Sequence, residues 1–184
     1  MSRPLPLPEL DALDDTVRAQ LARRPPIDLY RMVAHAPGLL APFMALGAAN
    51  FGATQIPPPL REALILRVAM HHRSAYEIHH HRRIAHEAGL SEAAIDALLA
   101  GNRESQAWDA GIADAVALVD ALVVAEDITP ALVARMVQAH GHRGYVEMAL
   151  IAGFYRMVAT FLQATGLEPE PEDRINGWVA PQAR

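Results

Sequence analysis

One stretch restricts the fold of this chain more than any other. From Leu60 to Met70 it reads Leu-Arg-Glu-Ala-Leu-Ile-Leu-Arg-Val-Ala-Met. On a helix turning 100° per residue, apolar side chains then cover most of the circumference. Such a helix needs neighbours on nearly every side and belongs at the centre of a core. The other long segments also carry helical spacing, and none carries sustained strand alternation. The expected class is therefore all-α.

Proline and glycine divide the chain into helices. The start, with Pro4, Pro6 and Pro8, is expected to be an extended arm. A first helix is expected from about Glu9 to Arg23, with Leu10, Leu13, Val17 and Leu21 on one face, ended by Pro25 and Pro26. A second covers Asp28 to His35, and a third about Leu39 to Phe51 with Pro42 in its first turn. Pro57-Pro58-Pro59 opens the central helix, Leu60 to about His71. Ser74 is an expected N-cap for a helix ending near Ala88, with Gly89 as a left-handed stop. Ser91 caps the next, which ends at Gly101. Trp108 to about Ala125 follows, and Thr129-Pro130 starts a helix to His140. Gly141 to Gly144 reads as a turn, and Tyr145 to Ala164 as the last helix. At 184 residues the chain suits one domain, with residues 1–8 and 167–184 as arms. Trp108 and Trp178 are expected packing anchors.

Composition removes several functions. There is no cysteine, which excludes disulfides, thiolate nucleophiles and thiol redox cycles. A net charge of -5 argues against a nucleic-acid partner. The N-terminus has no apolar run of the secretory kind, and charges interrupt every apolar stretch before the roughly 20 residues that span a bilayer. The expectation is a cytoplasmic protein with no membrane partner.

The candidate site lies in Ser74-Ala75-Tyr76-Glu77-Ile78-His79-His80-His81-Arg82-Arg83-Ile84-Ala85. On a helix, Ile78, His81, Ala85 and Ala88 share an inward face. His79, Arg82, Arg83 and His86 turn to water. Glu77 stands one turn before His81, within reach of a carboxylate–imidazole hydrogen bond. A carboxylate beside a partly buried imidazole is an acid/base pair whose proton affinities burial can tune. Consecutive histidines point about 100° apart, so His79, His80 and His81 cannot chelate one ion from a single helix. A metal site would need His71, His72, His140 or His142 brought in by folding.

These residues, with Leu60-Arg61-Glu62 and Ala88-Gly89-Leu90-Ser91, resemble the carboxymuconolactone decarboxylase family, which includes the alkylhydroperoxidase D proteins. The resemblance is specific over residues 57–101. The peroxidase branch of that family carries Glu, then Cys twelve residues on, a second Cys after three more, and His after four. Counted from Glu62, those positions hold Ser74, Glu77 and His81. The Glu and His are kept and both cysteines are replaced, so disulfide-based peroxide reduction is excluded. The resemblance implies an alkylhydroperoxidase D-like helical bundle with an N-terminal helical extension. It also implies a homo-oligomer, whether dimer, trimer or hexamer, and a small-molecule substrate with no cofactor or metal. It implies a decarboxylase-like lyase acting on a small carboxylated lactone or ring acid. Glu62, Glu77 and His81 are then the candidate catalytic residues. Arg67, Tyr76, His80 and Tyr155 are the candidate substrate-binding residues, with Arg67 holding a carboxylate if it points inward. Two alternatives stand beside this reading: a non-catalytic small-molecule binding or interaction protein on the same fold, and a His-metal enzyme.

Overall fold

The computed structural model describes residues 5–124 and 127–171. Among the described residues every regular element is a helix. The chain divides into two compact units, residues 54–161 and residues 1–53 with 162–184.

In the unit of residues 54–161, the helix α4 (Pro58–His72) is central. All ten residues from Leu60 to Ala69 are buried. The apolar circumference read from the sequence is met by α5 (Ala75–Glu87), α6 (Glu92–Leu99) and α7 (Ala110–Val124), each packed on α4. Arg73 ends α4 in the left-handed region, at φ 52°. Ser74 then caps α5, its hydroxyl accepting from the Glu77 amide at 3.4 Å. Gly89, at φ 103°, closes α5 as expected, and Ser91 caps α6 through the Ala94 amide at 3.2 Å. The helix expected to begin at Trp108 begins at Ala110. The Asp109 carboxylate accepts from the Ile112 amide at 2.8 Å and so takes the cap, while the Trp108 indole donates to the Ala94 carbonyl at 3.2 Å. The expected end of that helix at Ala125 lies outside the described residues.

The last helix, α8 (Pro130–Thr165), corrects the expected four-residue turn at Gly141 to Gly144. Only Gly141 leaves helical geometry, at φ 69° and ψ 172°. That backbone region is open essentially to glycine alone. The Gln55 side-chain amide donates to the His140 carbonyl at 2.8 Å. Gln55 is fixed in turn by its own amide, which donates to Glu147 Oε2 at 2.8 Å. Gly141→Ala is expected to cost about 1–3 kcal/mol, read as a lower urea midpoint. An unchanged midpoint would mean the kink relaxes without strain.

In the other unit, the first helix is shorter than its apolar spacing suggested. Leu10–Ala12 forms one 3₁₀ turn, and α1 (Asp15–Ala22) starts only after Asp14 accepts from the Val17 amide at 2.8 Å. The cap wins over apolar periodicity, and Leu10 is left exposed. Next come α2 (Asp28–Val33) and α3 (Pro37–Gly52). Pro37 takes the first-turn position expected of Pro42, which sits inside α3. The N-terminal arm is tied down. His35 Nε2 bonds the Pro6 carbonyl and Arg31 Nε donates to the Pro8 carbonyl, each at 2.8 Å. Glu170, buried, accepts from the Asp28 amide. Trp178 and the arm beyond residue 171 lie outside the described residues.

Candidate functional site

The burial of α4 forces its polar members into partnerships, because an unpaired buried charge is far more costly than a paired one. Glu62 is fully buried, at 0% exposure. Its Oε1 accepts from Arg61 Nε at 2.8 Å, and its Oε2 bonds His81 Nδ1 at 2.8 Å. A carboxylate accepts only, so with Glu62 as carboxylate the donor in this bond is His81 Nδ1–H, which leaves Nε2 as the other ring nitrogen. The Tyr155 ring from α8 meets the His81 ring edge to face, with centroids 5.0 Å apart. Arg61, Glu62, His81 and Tyr155 therefore form one line of contact across three helices.

Glu77 was expected to be the carboxylate on His81, and the structure corrects this. The bond goes to Glu62, nineteen residues away in sequence. Glu77 is 2% exposed, and neither of its carboxyl oxygens has a hydrogen-bond partner. Burial pushes its pKa up to about 8, with the nearby Ser74 hydroxyl offsetting a smaller part. A carboxyl of this kind stays protonated at neutral pH and is a proton donor. The cap explains its orientation: Ser74 fixes the first turn of α5, and Tyr76 and Glu77 then turn inward together. The inward face of α5 is Tyr76, Glu77, His81, Ile84 and Ala85, whereas Ile78 and Ala88 are half-buried.

Arg67, expected to hold a substrate carboxylate if it points inward, does point inward and is paired there with Asp120. It is 2% exposed and grips Asp120 with two bonds, Nε to Oδ1 at 2.6 Å and a terminal nitrogen to Oδ2 at 2.7 Å. The Leu98 and Gly101 carbonyls, at 3.1 and 3.4 Å, take further donors. Every nitrogen of the guanidinium is engaged in joining α4 to α6 and α7. His71 Nε2 adds a third bond to Asp120, at 2.6 Å from Oδ1. Burial alone would raise the Asp120 pKa, but the hydrogen bonds and charges of Arg67 and His71 outweigh it and the net shift is downward. His72 is lowered by burial first, and then by the charges of Arg156 and His71.

Tyr76 is buried and stacks on His80 one turn later, with centroids 4.4 Å apart. Among the described residues, no three His, Asp or Glu side chains converge to hold a metal ion. Arg61 and Asp120 were not singled out from the sequence. Asp120 had a signal: it is an acid inside the apolar run of residues 115–124, as Arg67 is a cation inside the apolar run of α4. Opposite charges buried in one core are far less costly paired than apart.

Residues 37–121, which hold Arg61, Glu62, Arg67, Glu77, His81 and Asp120, match the Carboxymuconolactone decarboxylase family. A crystal structure of an uncharacterized peroxidase-related protein from Silicibacter sp. TM1040 superposes with a TM-score of 0.78 at 18% identity, covering 95% of this chain and 94% of that one. So does the alkylhydroperoxidase AhpD core of an uncharacterized peroxidase-related protein from Ralstonia eutropha JMP134, with a TM-score of 0.78 at 17% identity, covering 97% of each chain. The fold is thus alkylhydroperoxidase D-like. No curated protein matches the sequence.

Proposed function

From residues 37–121, which match the Carboxymuconolactone decarboxylase family, we propose a cofactor-independent lyase that decarboxylates a small carboxylated lactone or ring acid. The observation that carries the reading is Glu77: a buried, unpartnered carboxyl with a pKa of about 8, at the position where the peroxidase branch has a cysteine. A thiol is replaced there by a group that can move a proton and cannot form a disulfide.

Decarboxylation needs little more than that. The bond between the ring carbon and the carboxylate breaks, and carbon dioxide leaves. The electron pair delocalises into the unsaturated ring and its carbonyl. One proton must then reach carbon, so the reaction consumes one proton in total. Glu77, neutral at pH 7, supplies it and is reprotonated from solvent after product leaves. His81, one turn away and held by Glu62, carries positive charge when protonated and stabilises the charge that develops on the substrate. Glu62 is a positioning residue, with one carboxyl oxygen on His81 Nδ1 and the other on Arg61 Nε.

The test is a panel of carboxylated lactones and ring acids, assayed for carbon dioxide release and product. His81→Ala is expected to lose at least ~10²-fold in turnover while its circular dichroism is unchanged. Full activity in that variant would sink the assignment. Binding without product from any substrate would point to a non-catalytic binding protein.

A further inference from the structure

Within the unit of residues 1–53 and 162–184, the elbow after α1 forms a cleft of ≈ 580 Å³, a volume ordinary for a small-molecule site. Leu10, Leu21, Pro25 and Pro26 give it apolar walls, and Arg18, Arg24 and Arg31 also line it. The two prolines present fixed backbone with no amide donors, so this side stays apolar and preformed. Leu10 is 46% exposed, although it is a large aliphatic side chain. It becomes useful only with something laid against it.

The three guanidinium groups are not equivalent. Arg18 donates to the Leu13 carbonyl and to Asp15. Arg31 donates to the Pro8 carbonyl at 2.8 Å and approaches Glu9 at 4.0 Å. Arg24 forms no side-chain hydrogen bond or ion pair among the described residues. It is a half-buried cation in a chain of net charge -5, with an apolar wall beside it. A guanidinium takes a carboxylate through two parallel bonds, and partial burial strengthens them.

We propose that this cleft binds an amphipathic monocarboxylate, with its head on Arg24 and its hydrocarbon body against Leu10, Leu21, Pro25 and Pro26. The site shares no residue with the Glu62–His81 cluster. Tyr30 supplies an internal reporter. Burial raises the pKa of its hydroxyl, and the charge of Arg24 pulls it partly back down. An anion seated on Arg24 cancels that pull, so the Tyr30 hydroxyl should titrate higher when the cleft is filled.

The experiment uses the full chain and calorimetric titration with octanoate, 1-octanol and octylamine. Octanoate is expected to bind saturably, and about tenfold or more tighter than octanol or octylamine. Arg24→Gln should lose about tenfold or more in octanoate affinity and leave octanol binding as it was. Arg23→Gln, next in sequence and exposed, should bind as the parent does. Ring-labelled tyrosine NMR should show the Tyr30 titration moving upward only when octanoate is present. Equal binding of octanol and octanoate, undiminished octanoate affinity in Arg24→Gln, or no saturable octanoate binding would each overturn the proposal. Thermal melts of both variants confirm that they are folded before affinities are compared.

Discussion

Glu77→Gln is expected to lower turnover by ~10²–10⁴-fold and at the same time to make the protein more resistant to alkaline pH. The two effects have one cause. Glutamine keeps the shape of the neutral carboxyl but cannot give up a proton. In the parent protein the folded-state pKa is about 8, against 4.5 for an ordinary glutamate. Between those values the unfolded chain has lost its proton and the folded chain has kept it. The folded state then binds more protons, so the free energy of unfolding falls as pH rises. The slope is about 1.4 kcal/mol per pH unit, and over the window the loss is on the order of 5 kcal/mol. Below pH 4.5 both states are protonated, and above the folded pKa both are ionised, so the dependence flattens at either end. Urea titrations at pH 5, 6.5 and 8 should show this decline in the parent and lack it in Glu77→Gln. Turnover in the parent should fall as pH passes 8, because the donor ionises. Identical stability profiles for parent and variant would mean that Glu77 titrates like a surface carboxyl, and the proton-donor role would go with it.

Arg67→Met should lose about 3–5 kcal/mol of stability without any direct effect on the Glu62–His81 cluster. The substitution keeps the aliphatic stem and removes the guanidinium that makes two bonds to Asp120. Asp120 is then left 6% exposed with only His71 for a partner. Most of the cost is that stranded charge rather than the lost attraction. The double variant Arg67→Met with Asp120→Leu removes both charges together and should recover most of the loss, as buried pairs replaced by apolar groups often do. Urea midpoints of the parent, both single variants and the double variant give the coupling directly. A loss below about 1 kcal/mol in Arg67→Met would show that the pair behaves like a surface bridge.

The sequence was informative wherever one element carries its own instructions. Ser74, Ser91 and Thr129 are caps by residue type, and Gly89 and Gly101 are stops, at φ 103° and 79°. The burial of Leu60 to Ala69 followed from the lack of any polar side on which that helix could face water. The failures came where elements compete or meet. Leu10 fitted a helical face, but Asp14 offered a better cap and the helix began after it. The four residues after His140 looked like a turn, yet a single glycine absorbs the whole break because Gln55 bonds the His140 carbonyl.

For the candidate site, the sequence determined which groups are present: Glu62, Glu77 and His81 on two helices, and no thiol anywhere. It determined this much because residue type and helical register are local properties. Tertiary structure alone decided the pairing. Glu77 is closer to His81 along the chain, but Glu62 took the imidazole, and Glu77 was left buried without a partner. Arg67, which local reasoning offered to a substrate, was taken by Asp120 from a helix more than fifty residues on. Charges in a low-dielectric core settle on whatever opposite charge packing brings nearest, and helix packing sets that distance, not separation along the chain.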